Sequence, residues 1–443
     1  MEDVRHFVLQ SFGCKVNQYE SQALREAWTA GGWRESSLEK ADVVCVNTCA
    51  VTAGAVADAR GAIRKIRRNH PEARIIVTGC AARLLDAETG RLPGVGLVTA
   101  QEAKAELLHL AENPQTAPPV EKFAYPPFRV AGYGRSRAVC KVQDGCSHRC
   151  AYCIVPLTRG PSRSRAKEET LAEVRRFLAA GFQEIILNGI NLAQYGKDFA
   201  SREAHDFWDL VAFLETSLAP EWAGRVRLRL SSLEPGQLGA KALDILGKSA
   251  LVAPHLHVSL QSGSRAVLRR MGRGHYNPDK LPLFFRELAA VFPRYGLGAD
   301  ILSGFPGETD DDAAQTTALV KSLPFTYAHI FPYSRRPGTP AAAWREQVSG
   351  AVKKERAAAL RRLVETKKQA FLRDCVSLPE VTIAWEDSAI PGGVNEFYAD
   401  CRFAAGDIPP GASRRALVRA KPVSAQDGYL LVQALEQINN AIL

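Results

Sequence analysis

Three short β-rich runs, HFVLQSF, ADVVCVN and ARIIVTG, recur about 30 residues apart with helical stretches such as ESQALREAWTAGG between them. This rhythm constrains the fold most, because strands alternating with helices at that spacing form βαβ units around a parallel sheet. A Pro-rich segment from Asn113 to Phe128, NPQTAPPVEKFAYPPF, breaks the pattern and reads as a linker. From about Arg137 the alternation resumes with AVCKVQDG, EIILNGIN, VRLRLSSL, HLHVSLQS, LGADILSGF and YAHIFPYS. Six such units suggest a (βα)6 partial barrel of TIM type, with chemistry at the C-terminal strand ends. A long basic helix, VKKERAAALRRLVETKKQAFLRD, follows, and then short alternating strands that suit a small β-barrel. The expected fold class is therefore α/β. Its expected divisions are an N-terminal parallel domain over 1–112, a linker over 113–132, the partial barrel with its basic helix over 133–374, and a β-barrel over 375–443.

A chain of 443 residues needs more than one core. With 46% hydrophobic and 23% charged residues it has the balance of a globular protein. No apolar run suits a membrane span, and MEDVRHFVLQSFG lacks the basic-then-apolar plan of a signal peptide. The expected compartment is the cytoplasm, with no membrane partner. In that reducing setting the ten cysteines are read as metal or redox groups rather than a disulfide framework. The net charge of +10 suits an acidic partner such as nucleic acid, against the plain alternative of a basic surface tuned for solubility.

Cys146, Cys150 and Cys153 follow the strand AVCKVQDG within one tight loop, CSHRCAYC. Iron–sulfur clusters are normally held by four thiolates; three would leave one iron open, as a catalytic zinc site keeps one position for substrate. The competing reading is a structural zinc site, but no fourth Cys or His follows at zinc-ribbon spacing, and His148 lies inside the loop. The cluster reading is preferred. Cys14, Cys49 and Cys80 each close one of the first three strand runs, at separations of 35 and 31 residues. A parallel sheet collects its C-terminal strand ends along one edge, which brings these three together. Separate buried thiols are the alternative; three equivalent positions favour a second three-cysteine set. Cys45, Cys140, Cys375 and Cys401 match no motif, and Cys45 and Cys140 sit in apolar runs that suit buried thiols.

The spacing Cys146-x3-Cys150-x2-Cys153, with Tyr152 before the last cysteine, resembles the defining motif of the radical SAM superfamily. Over nearly the whole chain the sequence resembles the methylthiotransferase family: GCKVNQYES, VNTCAVT, VTGC, DGCSHRCAYCIVP, TRGPSRSR, NGINLAQYG, RLSSLEP, HVSLQSGS, DILSGFPGETDDD and HIFPYSRRPGTPAA. GCKVNQYE is most similar to the subgroup acting on N6-threonylcarbamoyladenosine at position 37 of tRNA. The alternatives are the isopentenyladenosine-37 subgroup and the subgroup that modifies a ribosomal-protein aspartate. A non-catalytic, zinc-stabilised RNA-binding protein is a third class of reading.

The resemblance implies two 4Fe-4S clusters, one on Cys146, Cys150 and Cys153 and one on Cys14, Cys49 and Cys80, together with S-adenosyl-L-methionine. It further implies that the first cluster serves to make a 5′-deoxyadenosyl radical that takes hydrogen from C2 of the adenine, and that the second delivers sulfur. By the same resemblance Asn188 and Gly189 would lie near the methionine amino group, and Glu234, Ser259 and Gln261 along later strand ends. Arg163 or Arg165 would pair with a carboxylate or phosphate, and SGFPGE from Ser303 would approach adenine. The family's usual glutamine after the third cysteine is absent: GCAAR puts Arg83 nearby. The implied partners are the tRNA anticodon loop and a low-potential donor, flavodoxin or ferredoxin, with a monomer as the expected state. Basic runs at Arg60–Arg68 and Lys353–Arg373 are candidates for phosphate contact, or plain solvated faces. The C-terminal segment GGVNEFYADCRF resembles a TRAM domain, where Phe397 and Tyr398 would stack on bases or else fill the barrel.

Overall fold

The computed structural model describes residues 4–89, 95–111, 125–200, 206–386, 390–404, 407 and 413–438. Most of the expected linker, its residues 113–124, lies outside them. The chain divides into two compact units: Met1–Ala131 with Gln143–Arg165 and Ser334–Ala342, and Gly132–Val142 with Ala166–Tyr333 and Ala343–Leu443.

The first unit begins as a parallel α/β layer. Strand β1 (His6–Ser11), helix α1 (Lys15–Ala30), β2 (Arg34–Glu35), β3 (Val43–Thr48), α2 (Ala53–Asn69), β4 (Arg74–Gly79), α3 (Ala82–Thr89) and β5 (Val95–Val98) follow in order. The sheet order is β2-β1-β3-β4-β5, with every pair parallel. All six residues of β3 are buried, as expected for a central strand covered on both faces. Helix α1 turns Val16, Tyr19, Ala23, Leu24 and Trp28 inward at helical spacing. The edge strands β2 and β5 did not emerge from the sequence. The first is two exposed residues long and the second four residues with one exposed, too short for a periodic signal.

Strand β6 (Arg137–Asp144) carries the chain from one unit into the other. Its last residues, Gln143 and Asp144, pair antiparallel with β7 (Arg163–Ser164) in the first unit, closing a loop that contains α4 (Val155–Arg159).

The second unit continues with α5 (Lys167–Ala179), β8 (Glu184–Gly189), α6 (Phe207–Trp222), β9 (Arg227–Leu230), α7 (Ala240–Lys248), β10 (His255–Gln261), α8 (Arg265–Arg270), α9 (Leu281–Val291), β11 (Gly296–Ser303), α10 (Asp310–Ser322) and β12 (Tyr327–Pro332). β8–β9 and β10–β11–β12 pair in parallel, β6 neighbours β8, and single parallel bridges at Leu228–Val252 and Leu233–Val258 join the two sheets. This is the expected six-stranded partial barrel. After the short α11 (Pro340–Ala343) comes α12 (Gly350–Cys375), 26 residues long and capped by Ser349.

Strands β13 (Val381–Glu386), β14 (Gly392–Asn395), β15 (Asp400–Phe403), β16 (Leu417–Ala425) and β17 (Leu430–Gln437) form a closed barrel in the order β13-β14-β15-β17-β16. Leu372 and Cys375 at the end of α12 enter its core. Within GGVNEFYADCRF the chain turns at Tyr398, with φ +66, between β14 and β15. The small barrel is stitched to the N-terminal ends of β8 and β9. Gln183 exchanges hydrogen bonds with Leu417 and Ile438, and Arg227 and Arg229 donate to the carbonyls of Thr382, Val394, Asn395 and Glu396. It therefore closes the bottom of the partial barrel and leaves the C-terminal strand ends for ligand.

Candidate functional site

Each long strand of the first unit ends in a turn that carries a cysteine and opens a helix: Cys14 before α1, Cys49 shortly before α2, Cys80 before α3. Since β1, β3 and β4 are neighbours, these three residues share one sheet edge. Two glycines permit this. Gly13 (φ +91) passes so close to Cys49 that a Cβ would collide with its side chain, and a Cβ on Gly79 (φ +97) would collide with the Thr48 carbonyl. The strand ends are pinned by buried amides. Asn17 Nδ2 donates to the carbonyls of Phe12 and Thr48 (2.9 and 2.8 Å), and Asn47 Nδ2 to the Asn17 carbonyl and Ser21 Oγ (3.0 and 2.9 Å).

Cys49 is 2% exposed. Burial pushes its thiol up to about 11, with an N–H of Val51 opposing and the neighbouring Cys14 and Cys80 adding to the rise. Three thiols that sense one another at helix N-termini form a soft, anionic donor set once deprotonated. Among the described residues no three Cys, His, Asp or Glu side chains converge on one metal ion; in a polynuclear cluster each thiolate takes its own iron. The donor set fits an iron–sulfur cluster. Arg83, at the departure from the family pattern, pairs with Glu102 on the surface.

The second trio lies in the loop between β6 and β7, in the same unit. Gly145 (φ +68) passes so near the Pro161 carbonyl that no side chain fits. Cys146 N donates to Gly160 O and Cys153 N to Cys150 O, both at 3.0 Å. Buried Gln143 ties the loop's two ends together, donating to the carbonyls of Asp144 and Gly145 and to Ser162 Oγ. Cys146 and Cys150 are buried, and Cys153 is partly exposed. None of the ten cysteines is in a disulfide.

Sequence reasoning missed the ionic group beneath these cysteines. Glu20, Lys104, Asp144 and Arg159 are all at most 1% exposed. Lys104 Nζ donates to Glu20 at 2.6 Å, and Arg159 Nη1 to Glu20 and Asp144 at 2.8 Å each. The available signal was polarity out of place, since Asn17 and Glu20 interrupt the apolar face of α1 at a spacing of three. Arg165, placed in the first unit, is 1% exposed and lies over Tyr125, with Nη1 at 3.5 Å from Tyr19 Oη.

In the second unit the strand ends offer buried polar atoms that the described residues leave without a partner: Asn188 Nδ2 in β8, Ser231 Oγ just past β9 and Ser303 Oγ closing β11. Gly189 adjoins Asn188, Ser259 and Gln261 lie in the last turn of β10, and Gln261 has φ +60 at a register shift. Such orphan groups cost free energy unless a ligand meets them, so this rim fits a small polar molecule with several hydrogen-bonding groups. Glu234 is already engaged: Arg273 and His275 hold its carboxyl below the usual range, against the opposing effect of burial. Phe397 belongs to the small barrel's core, and Tyr398 stacks on His255 at 4.8 Å beneath Arg229. Both aromatics are thus structural rather than platforms for bases. On α12, Lys353, Arg356, Arg361 and Lys367 bond to the chain's own carbonyls or carboxylates, whereas Lys354, Arg362 and Arg373 are exposed.

Residues 140–320 match the Radical SAM superfamily, and residues 6–98 match the family described as Uncharacterized protein family UPF0004. A partial barrel of this order, entered through a three-cysteine loop, defines a radical SAM enzyme. The solved structure of the radical S-adenosylmethionine methyltransferase TsrM from Kitasatospora setae, with cobalamin and a [4Fe-4S] cluster bound, superposes with a TM-score of 0.56 at 15% identity, covering 77% of each chain. Threonylcarbamoyladenosine tRNA methylthiotransferase MtaB of Bacillus subtilis (strain 168) is 34% identical over 78% of this chain and 77% of its own. The tRNA-2-methylthio-N(6)-dimethylallyladenosine synthase of Chromobacterium violaceum is 33% identical over 83% and 84%. The chain belongs to the radical SAM tRNA methylthiotransferase family. No helix among the described residues is long and apolar enough to cross a membrane.

Proposed function

We propose that this enzyme methylthiolates C2 of N6-threonylcarbamoyladenosine at position 37 of tRNA, and that it holds two 4Fe-4S clusters to do so. The observation that carries the reading is the gathering of Cys14, Cys49 and Cys80 on one sheet edge, in the same compact unit as the loop of Cys146, Cys150 and Cys153. GCKVNQYE and relatives such as the MtaB of Thermotoga maritima, 33% identical over 89% of this chain, support the threonylcarbamoyl substrate over the isopentenyl one. When bound, the clusters and S-adenosyl-L-methionine supply the reductive radical chemistry and the sulfur needed at an unactivated aromatic carbon.

The protein's own residues bind and orient. Cys146, Cys150 and Cys153 would hold one cluster, in a loop whose ends Gln143 ties together. Cys14, Cys49 and Cys80 would hold the other. Asn188, Gly189, Ser231, Ser259, Gln261 and Ser303 would meet the polar groups of S-adenosyl-L-methionine along the strand ends, with Arg273 keeping Glu234 ionised beside them. Exposed cations on α2 and α12 would meet tRNA phosphates. An anticodon-loop base is single-stranded, so presenting it to the site costs less than flipping it from a duplex. Flavodoxin or ferredoxin would supply electrons in the cytoplasm.

Nucleoside analysis of tRNA from cells with and without the gene tests the substrate. Loss of the methylthio form of threonylcarbamoyladenosine is expected; loss of the isopentenyl product instead would reassign it. Cys146→Ala is expected to abolish cleavage of S-adenosyl-L-methionine, and Cys49→Ala to keep deoxyadenosine formation while stopping methylthio product. Full product from Cys49→Ala would remove the second cluster from the mechanism.

A further inference from the structure

Arg159 lies six residues beyond Cys153, yet its guanidinium reaches the other trio. Nε donates to Cys80 Sγ at 3.1 Å. Nη1 donates to Glu20 Oε1 and Asp144 Oδ1 at 2.8 Å each, and Nη2 to Asn17 Oδ1 at 2.7 Å and Glu20 Oε2 at 3.2 Å. All five N–H donors of the fork are therefore engaged, on a side chain only 1% exposed. Its orientation is over-determined: helix α1 supplies Asn17 and Glu20, β6 supplies Asp144, and Lys104 holds Glu20 from behind at 2.6 Å. Asp144 Oδ1 also accepts from Gly145 N at 2.8 Å, next to Cys146. Lys104, Arg159 and Arg163, the last 3.7 Å from Asp144 Oδ2, outnumber the carboxylates of Glu20 and Asp144 before Cys80 is counted, and the remaining acceptor on the Arg159 guanidinium is a sulfur.

We propose that Arg159 is a positioning residue for whatever Cys80 holds: it fixes the Cys80 sulfur and sets a buried positive charge against it, making the group on Cys14, Cys49 and Cys80 easier to reduce. The inference rests on the second-cluster reading above. Its physical basis is that hydrogen bonds to sulfur and net charge set cluster potentials, and that a fixed cation in a water-poor site favours the more negative redox state. The same guanidinium ties the base of the Cys146 loop to Cys80, so assembly of one trio would stiffen the other. A lysine keeps the charge but has no planar fork to satisfy all five acceptors.

The test uses full-length protein reconstituted without oxygen, with Cys146, Cys150 and Cys153 all changed to Ala so that only the N-terminal trio carries iron. Electron paramagnetic resonance during a redox titration reads its midpoint potential, and iron and sulfide content is measured alongside. Arg159→Met is expected to lower the reduction equilibrium constant at least tenfold, about 59 mV for a one-electron couple, with Arg159→Lys falling between Met and the parent. Loss of iron from Arg159→Met while its circular dichroism melt matches the parent would equally support the positioning of Cys80. Unchanged iron with a reduction equilibrium constant within threefold of the parent, a shift under about 28 mV, would overturn the proposal, as would unfolding of both variants, which would assign Arg159 to folding alone. A parent protein that takes up no iron would instead sink the two-cluster reading, and with it this inference, an outcome distinguishable from all the others.

Discussion

Glu184→Gln isolates the electrostatic clamp between the partial barrel and the small barrel. Glu184 has no exposed side-chain surface and accepts from Arg227 Nε, from Arg229 Nε at 2.7 Å and from Arg229 Nη2 at 3.1 Å. Both guanidinium groups are nearly buried, 7% and 2% exposed. Removing one member of a buried ion pair costs about 3–5 kcal/mol, because the partner charge is left uncompensated. Two features pull toward the lower end. Glutamine keeps one acceptor, and the arginines retain four carbonyl partners on β13, β14 and the turn that follows. We therefore expect about 3 kcal/mol, or about a hundredfold faster local opening. Hydrogen exchange at the β13 and β14 amides should report it, while β3 and β4 in the other compact unit stay unchanged. The sign with pH follows from the carboxyl, which the two arginines hold far below the ordinary range against the opposing effect of burial. A depressed folded-state pKa gives stability that is present above the unfolded value of about 4.3 and is lost as pH falls below it. The gap between wild type and variant should thus be constant near neutrality and narrow in acid. Glu308, pushed up by burial and paired with Arg356 rather than with this clamp, acts in the opposite sense but cancels in that difference. A cost below about 1 kcal/mol, the size typical of an exposed pair, or equal acceleration in both units, would refute the reasoning.

Three further outcomes are expected. Asn188→Ala removes an amide whose Nδ2 has no partner among the described residues; stability should change by less than about 1 kcal/mol. Its affinity for S-adenosyl-L-methionine in anaerobic equilibrium dialysis should fall about tenfold, and unchanged affinity would take Asn188 out of the ligand rim. Gly13→Ala forces a Cβ into Cys49 at φ +91, with a strain of about 1–3 kcal/mol, and should lower iron at the N-terminal trio; full iron content would contradict the close approach. Lys104→Met takes one cation from buried Glu20, which keeps Arg159 and the Gln101 amide, and should destabilise the first unit by about 3–5 kcal/mol, read as a lower urea midpoint in near-ultraviolet circular dichroism.

What could be read from the sequence depended on how far apart the interacting residues are. Strand and helix identities are local patterns, and the central strands are apolar throughout, so the parallel layer and the partial barrel were legible. Topology then did the rest for Cys14, Cys49 and Cys80, because a parallel sheet with β1, β3 and β4 adjacent must place their C-terminal ends side by side. Strand β14 escaped because Gly392 and Gly393 look like a turn, yet a Cβ on either would collide with the carbonyl of a facing strand, so glycine is what allows the small barrel to close. Arg159 was illegible for a different reason. Within TRGPSRSR it is one basic residue among three, while its partners Asn17, Glu20 and Cys80 lie 142, 139 and 79 residues away. A buried cation is costly unless compensated, so the pattern that selects it exists only in three dimensions. Its compensation comes from carboxylates on α1 and β6 and from a cysteine at the end of β4. Such a residue is fixed simultaneously by folding and by the site. That is why the decisive measurement on it is a potential rather than a melting temperature: a merely structural arginine would shift the second and leave the first where it was.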